Sequence, residues 1–395
     1  MGFQSETSRK CYSAPGPWWR AGDILGGFAF CERKDFLVLE RFHVPHDIEV
    51  RVKVKDLDTT VTTIFEKIGL SKPDAARASD ALVYADVRGI ETHGVSNMLR
   101  SYVVGYGKGA INPRPNVKII RDAPAAASVD CDRGLGLHVG PWCMDLAIEK
   151  AKKTGMAAVS ATNGRHYGAA AYHAQLALKH DMIGISMTVG GNIVAPTFGG
   201  KAMVGLNPIA VAVPAKNEAP FIFDASMSGV AGNKVALAKR LGVKLAPGWV
   251  AEPDGTPIME EVTPRDGLIM LPLGGTREGG SHKGYTLAVT VDILSSLLAG
   301  GAPGFLSKGT ASHHFIAYRI DAFTDLAEFK EQMDIYLKGL RECPPAPGQK
   351  RVYYAGLPEH EEESDRRKHG IPLHPEVIEW FRGVTSELGI PWTLT

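Results

Sequence analysis

The feature that most restricts the fold of this 395-residue chain is a series of short apolar runs that begins near residue 125. "AAASVDC", "MAAVSAT", "MIGISMT", "IAVAVPA" and "PFIFDAS" are each of strand length and are separated by glycine, asparagine or proline. Apolar runs without polar alternation fit strands covered on both faces. Between them, "WCMDLAIEKAKKTG" and "AAYHAQLALKHD" read as helices of about three turns. Strands alternating with helices predict an α/β layer structure with a largely buried sheet. A glycine-rich loop then leads into "SHKGYTLAVTVDILSSLLAG", a long apolar helix expected to be buried over most of its surface.

The flanks are helical. "DLDTTVTTIFEKIGL" places Val61, Ile64, Phe65 and Ile68 on one face. In "LSKPDAARASDALVYADVRGI", Ser71, Pro73 and Asp74 mark a helix start and Gly89 a stop. The tail carries "AFTDLAEFKEQMDIYLKGL" and "HPEVIEWFRGVTSELGI", amphipathic helices separated by the solvated "HEEESDRRKHG". The expected organisation is an N-terminal extension at 1–49, a helical region at 50–122 and an α/β domain at 123–320. C-terminal helices at 321–395 are expected to fold back on the helical region.

Lys and Arg number 44 against 43 Asp and Glu, scattered rather than clustered, which argues against a nucleic-acid or acidic-membrane partner. No segment approaches the ~20 apolar residues of a membrane helix, and the first residues lack the pattern of a secretory signal. Five cysteines without close spacing fit reduced thiols in a cytoplasm.

Of the thirteen histidines, His43, His46, His180, His360, His369 and His374 lie in polar contexts. His313 and His314 would point to opposite faces of a strand. No pair has zinc-helix spacing, and no carboxylate cluster completes a metal shell, so no metal site is expected. His93, His166 and His282 differ, because each sits among glycines at a predicted element boundary, where a side chain can face a cleft from a rigid support. Thr92 precedes His93 and can orient its ring. A helix through 92–102 would put His93, Asn97 and Arg100 on one face, an array suited to an oxyanion and a carboxylate. An ordinary exposed polar face would give the same spacing.

"GLGLHVG" (134–140) is not a dinucleotide fingerprint, and "GGTREGGSHKG" (274–284) is not a phosphate-binding P-loop. Even so, "GGSHKGYTL" places backbone amides and Lys283 at a helix mouth, a setting that suits an anion such as pyrophosphate. A mobile surface loop would read the same way.

Taken in order, "RGIETHGVSN", "NGRHYGAAAY", "GLNPIAVAVP", "FDASMSGVAGNKV" and "PLGG…HKGYTLAVTVDILSSLLAG" resemble the malate/L-lactate dehydrogenase family from about residue 50 to the C-terminus. The resemblance implies an NAD- or NADP-dependent oxidoreductase with a non-Rossmann, mixed-sheet α/β domain beside a helical domain built from both ends of the chain. It implies His166 as general acid/base, with His93 and Thr92 beside the substrate. Asp224 would support the reactive centre, and Asp224, Ala225, Ser226, Lys234, His282, Lys283, Gly284 and Gly356 would lie near the cofactor. Homodimers or larger homo-oligomers are implied as well. The family's arginine and tyrosine after the histidine are here Asn97 and Ser101, and its Pro-Gly-Glu is "AGL" (355–357). Substrate binding then falls to Asn97 and Arg100, with Tyr102 as a wall.

Hydride transfer needs nicotinamide C4 against the substrate α-carbon and a group that trades a proton with its oxygen. Imidazole suits the second task. The roles of His166 and His93 can also be exchanged. The expected reaction interconverts a 2-hydroxy and a 2-oxo acid. Its rivals are cyclic-imine reduction beside a carboxylate, a metal-dependent lyase or hydrolase, and a nucleotide-binding protein without turnover.

Overall fold

A computed structural model describes residues 42–394 apart from Lys308. Nearly all of the extension expected at 1–49 therefore lies outside the described residues. Three helices open the helical region: α1 (Val54–Lys67), α2 (Lys72–Val87) and α3 (Val95–Gly107). Ser71 caps α2 by accepting the Asp74 N–H at 3.3 Å, as its sequence signature implies. The buried faces of α1, α2 and α3 share a core with α10 (Pro375–Glu387), through Val377, Ile378, Phe381 and Val384. A two-stranded ribbon, β1 (Val50–Val52) with β11 (Ile371–Leu373), ties the two ends of the chain together.

The α/β part holds β2 (Lys118–Ala123), β3 (Ala126–Asp130), β4 (Met156–Gly164), β5 (Met182–Thr188), β6 (Ile209–Val213), β7 (Phe221–Ala225) and β10 (Ala311–Arg319). These form one seven-stranded sheet in the order β2-β3-β4-β10-β5-β6-β7. β3 and β4 run parallel, joined by the crossover helix α4 (Gly136–Thr154), and every other pair is antiparallel. The sheet is mixed, as expected. The last strand in sequence, β10, lies at its centre, which explains why His313 and His314 are both buried although they face opposite ways.

Helix α6 (Gly232–Leu241) and the short pair β8 (Val250–Ala251) and β9 (Ile269–Met270) form a satellite core. Helix α8 (Leu326–Arg341) packs through Leu337 beside Phe221 of β7 rather than on the helical region, whereas α9 (Leu357–His369) meets α2.

Three local expectations change. The glycine-rich 134–140 stretch is not a free loop, because α4 begins within it at Gly136. "AAYHAQLALKHD" yields only α5 (Ala170–Gln175) and one tight turn, ended by Asp181 in a left-handed conformation (φ 53°). Helix α7 (Ser281–Asp292) buries one side only. Leu287, Ile293, Leu297 and Leu298 are exposed, with Phe305 and Leu306 beyond them.

The helical region is locked by one buried cation. Arg366 of α9, 1% exposed, donates from Nε to Glu362 (2.6 Å), from Nη1 to the Asp86 carbonyl (2.7 Å) and from Nη2 to Glu91 (2.7 Å). Removing it strands the buried Glu91 carboxylate. Arg366→Met should therefore destabilise the protein by about 3–5 kcal/mol, read as a lower urea midpoint at unchanged slope. A loss below about 1 kcal/mol would show that the network adds nothing beyond a surface ion pair.

Candidate active site

The site is built where two loops from different layers meet. After β4 the chain turns through Arg165, His166, Tyr167 and Gly168 before α5 begins. The N-terminus of α4 holds this turn: Gly134 O accepts the Arg165 N–H (3.0 Å), and the Gly136 N–H donates to His166 O (3.0 Å). A Cβ on Gly136 would lie 2.3 Å from the Tyr167 Cβ, so the glycines of "GLGLHVG" serve close backbone approach. Fully buried Tyr167 is sandwiched between the rings of His173 (centroids 4.4 Å apart) and His313 (4.8 Å), both nearly parallel to it. The turn carrying His166 is thus fixed from below.

His93 comes from the short turn between α2 and α3. The helix starts at Val95, not at 92, so His93 precedes it and the one-face array of His93, Asn97 and Arg100 does not form. Asp86 instead caps α3, accepting the Val95 N–H at 2.8 Å. Gly94 leaves room for that carboxylate, because a Cβ there would lie 2.0 Å from Asp86 Oδ1.

The rings of His93 and His166 stack with centroids 5.6 Å apart and planes within 8°. The Thr92 hydroxyl lies 2.8 Å from His93 Nδ1, and the Tyr102 hydroxyl of α3 lies 2.7 Å from His166 Nδ1. Gly168 N–H also points at His166 Nδ1 (3.3 Å). Among the described residues no group bonds either Nε2, and neither atom is sealed from solvent by them. Burial lowers His166 to about 4; burial, then repulsion from His166, lowers His93 to about 3. Both rings are neutral at pH 7. Burial holds the Tyr102 phenol far above its ordinary range, so it remains protonated.

Both histidines line a cavity of about 530 Å³, within the range of small-ligand sites. Its walls include Thr188 at the end of β5 with Gly190, Gly191 and Asn192 beyond it, Gly232 and Asn233 of α6, and Gly304, Ser307, Gly309, Thr310 and Ala311 leading into β10. Among the described residues, the one permanently charged side chain lining the cavity is Arg165. Its Nε donates to Ala110 O (2.7 Å), and its Nη1 to Gly164 O and Gly309 O (both 3.2 Å). Among the described residues no carboxylate lines the cavity, and no group of three metal-binding side chains occurs.

The other residues singled out in the sequence lie elsewhere. The Asn97 amide is engaged by Arg240 Nη1 (2.8 Å) and Asn233 O (3.4 Å). Arg100 is exposed, its guanidinium 5.6 Å from the Trp380 ring centroid. Asp224 accepts the Ala171 N–H (2.7 Å) at the start of α5. The side chain keeps accessible surface but is hemmed in by protein, which pushes its carboxyl up to about 7. Ala225 pairs with Ile209 in the sheet, and the Ser226 hydroxyl bonds Ser228 O (3.2 Å). Lys234 Nζ sits 4.9 Å from the Phe42 ring centroid, one residue beyond the lining Asn233. His282, Lys283 and Gly284 form the first turn of α7, and Gly356 caps α9 at φ 95° against Ile222. None of these lines the cavity that holds the two histidines. Sequence reading missed Arg165, the 188–192 segment, and Gly304, Ser307, Gly309, Thr310 and Ala311. The adjacent glycines of "TVGGN" were the available signal.

Residues 52–382 match the sequence profile described as malate/L-lactate dehydrogenase. The chain is 39% identical over 350 residues to the malate dehydrogenase of Pyrococcus abyssi, covering 86% of this chain and 96% of that one. It is 33% identical over 340 residues to the L-sulfolactate dehydrogenase of Methanocaldococcus jannaschii, covering 84% and 95%. The crystal structure of malate dehydrogenase from Entamoeba histolytica superposes with a TM-score of 0.84 at 32% identity, over 88% of this chain and all of that one.

Burial of uncharged imidazoles has a consequence for acid stability. Alongside His93 and His166, burial lowers His173 and His314 to about 4 and His313 to about 3. Each native ring binds its proton less readily than the unfolded ring, whose pKa is about 6.5. Stability is therefore intact above pH ~6.5 and falls as the pH drops toward 4, by on the order of 1 kcal/mol per ring at pH 5. Urea unfolding at pH 7 and pH 5 measures this. Equal stability at the two pH values would mean the rings titrate normally.

Proposed function

Because the chain belongs to the malate/L-lactate dehydrogenase family, we propose that its histidine-walled cavity interconverts a 2-hydroxy and a 2-oxo dicarboxylate of the malate type, with nicotinamide as hydride carrier. The observation that carries this reading is the pairing of two uncharged imidazoles, each with an Nε2 that no described residue bonds, beside one arginine in a cavity lined by no described carboxylate. Such a wall suits an anion with a carbonyl oxygen to be polarised.

The cavity fits a nicotinamide cofactor in size, and its glycine-lined walls admit close backbone approach. When bound, the cofactor supplies the hydride. Backbone after β5 and the α6 N-terminus at Gly232 would hold it, with Lys234 nearby. His93 and His166 meet the substrate oxygen and move its proton. Arg165 supplies the positive charge that the family arginine cannot supply from Asn97. Three carbonyl bonds hold its guanidinium in place, and Nη2 makes no hydrogen bond among the described residues. Asp224 acts as a cap that sets α5, and through it the His166 turn.

The similarity to dehydrogenases of malate and sulfolactate favours the hydroxy acid over a cyclic imine. NAD and NADP are both compatible with this site. A cytoplasmic homodimer or larger homo-oligomer is proposed as the working form. The exposed apolar stripe Leu287, Ile293, Leu297 and Leu298 supports self-association, since monomers seldom expose large contiguous apolar patches.

A panel of 2-oxo acids and cyclic imines, assayed with NADH and NADPH by nicotinamide absorbance, tests the reading. Turnover is expected with oxaloacetate or a close dicarboxylate, and turnover of imines alone would overturn it. Arg165→Met should lower kcat/KM by about tenfold or more, the effect of a lost charge-assisted hydrogen bond of ~1.5–3 kcal/mol. A change within twofold would remove Arg165 from anion binding. Light scattering should give at least twice the chain mass, and Leu297→Asp should reduce it. A monomer at micromolar concentration would refute the assembly.

A further inference from the structure

A second cleft lies apart from the histidine-walled cavity and shares no lining residue with it. The ribbon of β1 and β11, the start of α1, α2 and the end of α9 border about 990 Å³. That is the upper end of the volumes of small-ligand sites. Val52, Val54, Val83 and Val87 give the cleft an apolar side. Its charges are unevenly used. Lys53, Lys55 and Lys368 line it, and none has a hydrogen-bond or ion-pair partner among the described residues. The lining carboxylates are already engaged. Glu363 accepts from Arg88 and from Arg367 (both 2.8 Å), Asp80 from the Tyr172 hydroxyl (2.7 Å) and Asp58 from the Ser79 hydroxyl (2.6 Å). Arg51 is turned to Glu49 (2.7 Å) and to the Gly370 carbonyl (3.2 Å).

The placement of two of these lysines is what points to a ligand. Lys53 and Lys55 stand at the start of α1, where the helix dipole disfavours a cation and favours an anion. Lys53 is the N-cap and offers no side-chain acceptor to the free N–H groups of the first turn. Asp56 of that turn does not line the cleft. Lys368 comes from the last turn of α9, the basic end of a segment that reads in the sequence as solvated. A cation is favoured at that end of a helix, so Lys368 by itself calls for no partner. Sharing a cleft with Lys53 and Lys55, it adds to a charge that the described residues leave unanswered. Tyr84 also lines the cleft, and its hydroxyl is buried with no hydrogen-bond partner among the described residues. Burial holds that phenol far above its ordinary range, so it stays a donor.

We propose that this cleft binds a hydroxyl-bearing organic phosphate, its phosphate held by Lys53, Lys55 and Lys368 and its hydroxyls by Asp58 and Asp80. Phosphate oxygens accept both from ammonium groups and from the first-turn N–H groups of α1. Asp58 and Asp80 each keep one oxygen that no described residue bonds. An anion without donors would meet those oxygens only as repulsion, whereas hydroxyl groups donate to them. Sugar phosphates and nucleotides share this chemistry. The ligand would tie α1 to α9 across the cleft. It would add to the bonds from Arg88 to Glu363 and from Arg366 to the Asp86 carbonyl, which already join α2 to α9. Binding therefore stabilises the helical region and leaves the residues of the histidine-walled cavity untouched.

Calorimetric titration of the full chain with glucose 6-phosphate, AMP and inorganic phosphate at low ionic strength tests the site. One glucose 6-phosphate or AMP should bind per chain, more tightly than inorganic phosphate, with an affinity that falls as salt is added. The tighter of the two organic ligands identifies the source as sugar phosphate or nucleotide. Lys53→Met and Lys368→Met should each weaken that ligand about tenfold, the effect of a lost charge-assisted hydrogen bond. Lys118→Met, on the outer strand β2, should leave the affinity unchanged. The ligand should raise the melting temperature of the wild-type protein but not that of the Lys53→Met/Lys368→Met double variant. Binding that survives both lysine substitutions would place the ligand elsewhere and overturn the assignment. So would the absence of binding by any probe at millimolar concentration, or inorganic phosphate binding as tightly as the organic ligands.

Discussion

The geometry of the site depends on Asp86, a carboxylate 1% exposed at the end of α2. It accepts the first free N–H of α3, from Val95, while its own backbone carbonyl receives Arg366 from α9. The turn that carries Thr92 and His93 is therefore pinned from both sides. Burial is costly to a carboxylate and pushes this one up to about 7, against the opposing pull of the Val95 N–H. That cost is accepted where an open helix N-terminus is fixed without a side chain of its own turn, since Gly94 has none. The glycine exists to admit the carboxylate. The backbone of the histidine beside it is thereby fixed, and its ring is held by the Thr92 hydroxyl and the stack on His166.

The opposing half of the site follows a parallel logic with different materials. Here apolar and aromatic stacking does the fixing: Tyr167 between His173 and His313, all buried against the central strand β10. The α4 N-terminus clamps the same turn through Gly134 and Gly136. Where the halves meet, the link from Tyr102 to His166 joins a residue of the helical region to one of the α/β part. Cavities suited to small ligands commonly form where such layers meet, because neither layer alone fills the space between them.

The sequence was most legible where periodicity and capping agree. The helices α1, α2, α8 and α10 and the strands β3 to β7 were readable from apolar runs and spacing, and Ser71 and Gly89 from their turn chemistry, whereas β2 and the central β10 were not read. The glycine settings singled out His93 and His166, which the fold brings together, and also His282, which it places on α7 outside their cavity. What stayed hidden depends on contacts between distant segments. α4 starts inside an apparent loop because residues 134–136 are needed against Tyr167, which no local pattern records. α5 stops after six residues because a tight turn and Asp181 redirect the chain into β5. Arg165 was overlooked because its value lies in three backbone carbonyls from residues 110, 164 and 309, brought together only by the fold.

The departure at Asn97 shows how a site can change its materials while keeping its architecture. An arginine there would bring its own charge to the start of α3, next to the place now taken by Arg240 of α6. With asparagine, Arg240 Nη1 reaches the amide oxygen and Nη2 reaches Ser96 O (3.1 Å), while Nε approaches Glu376 of α10 (3.5 Å). One guanidinium thus joins α3, α6 and α10. A second cation at position 97 would face Arg240 at close range, and at short separation like charges repel strongly in a partly buried setting. Position 97 thus helps to fasten α6, which carries part of the cavity wall, to the helical region. Among the described residues, Arg165 is the cation that lines the cavity.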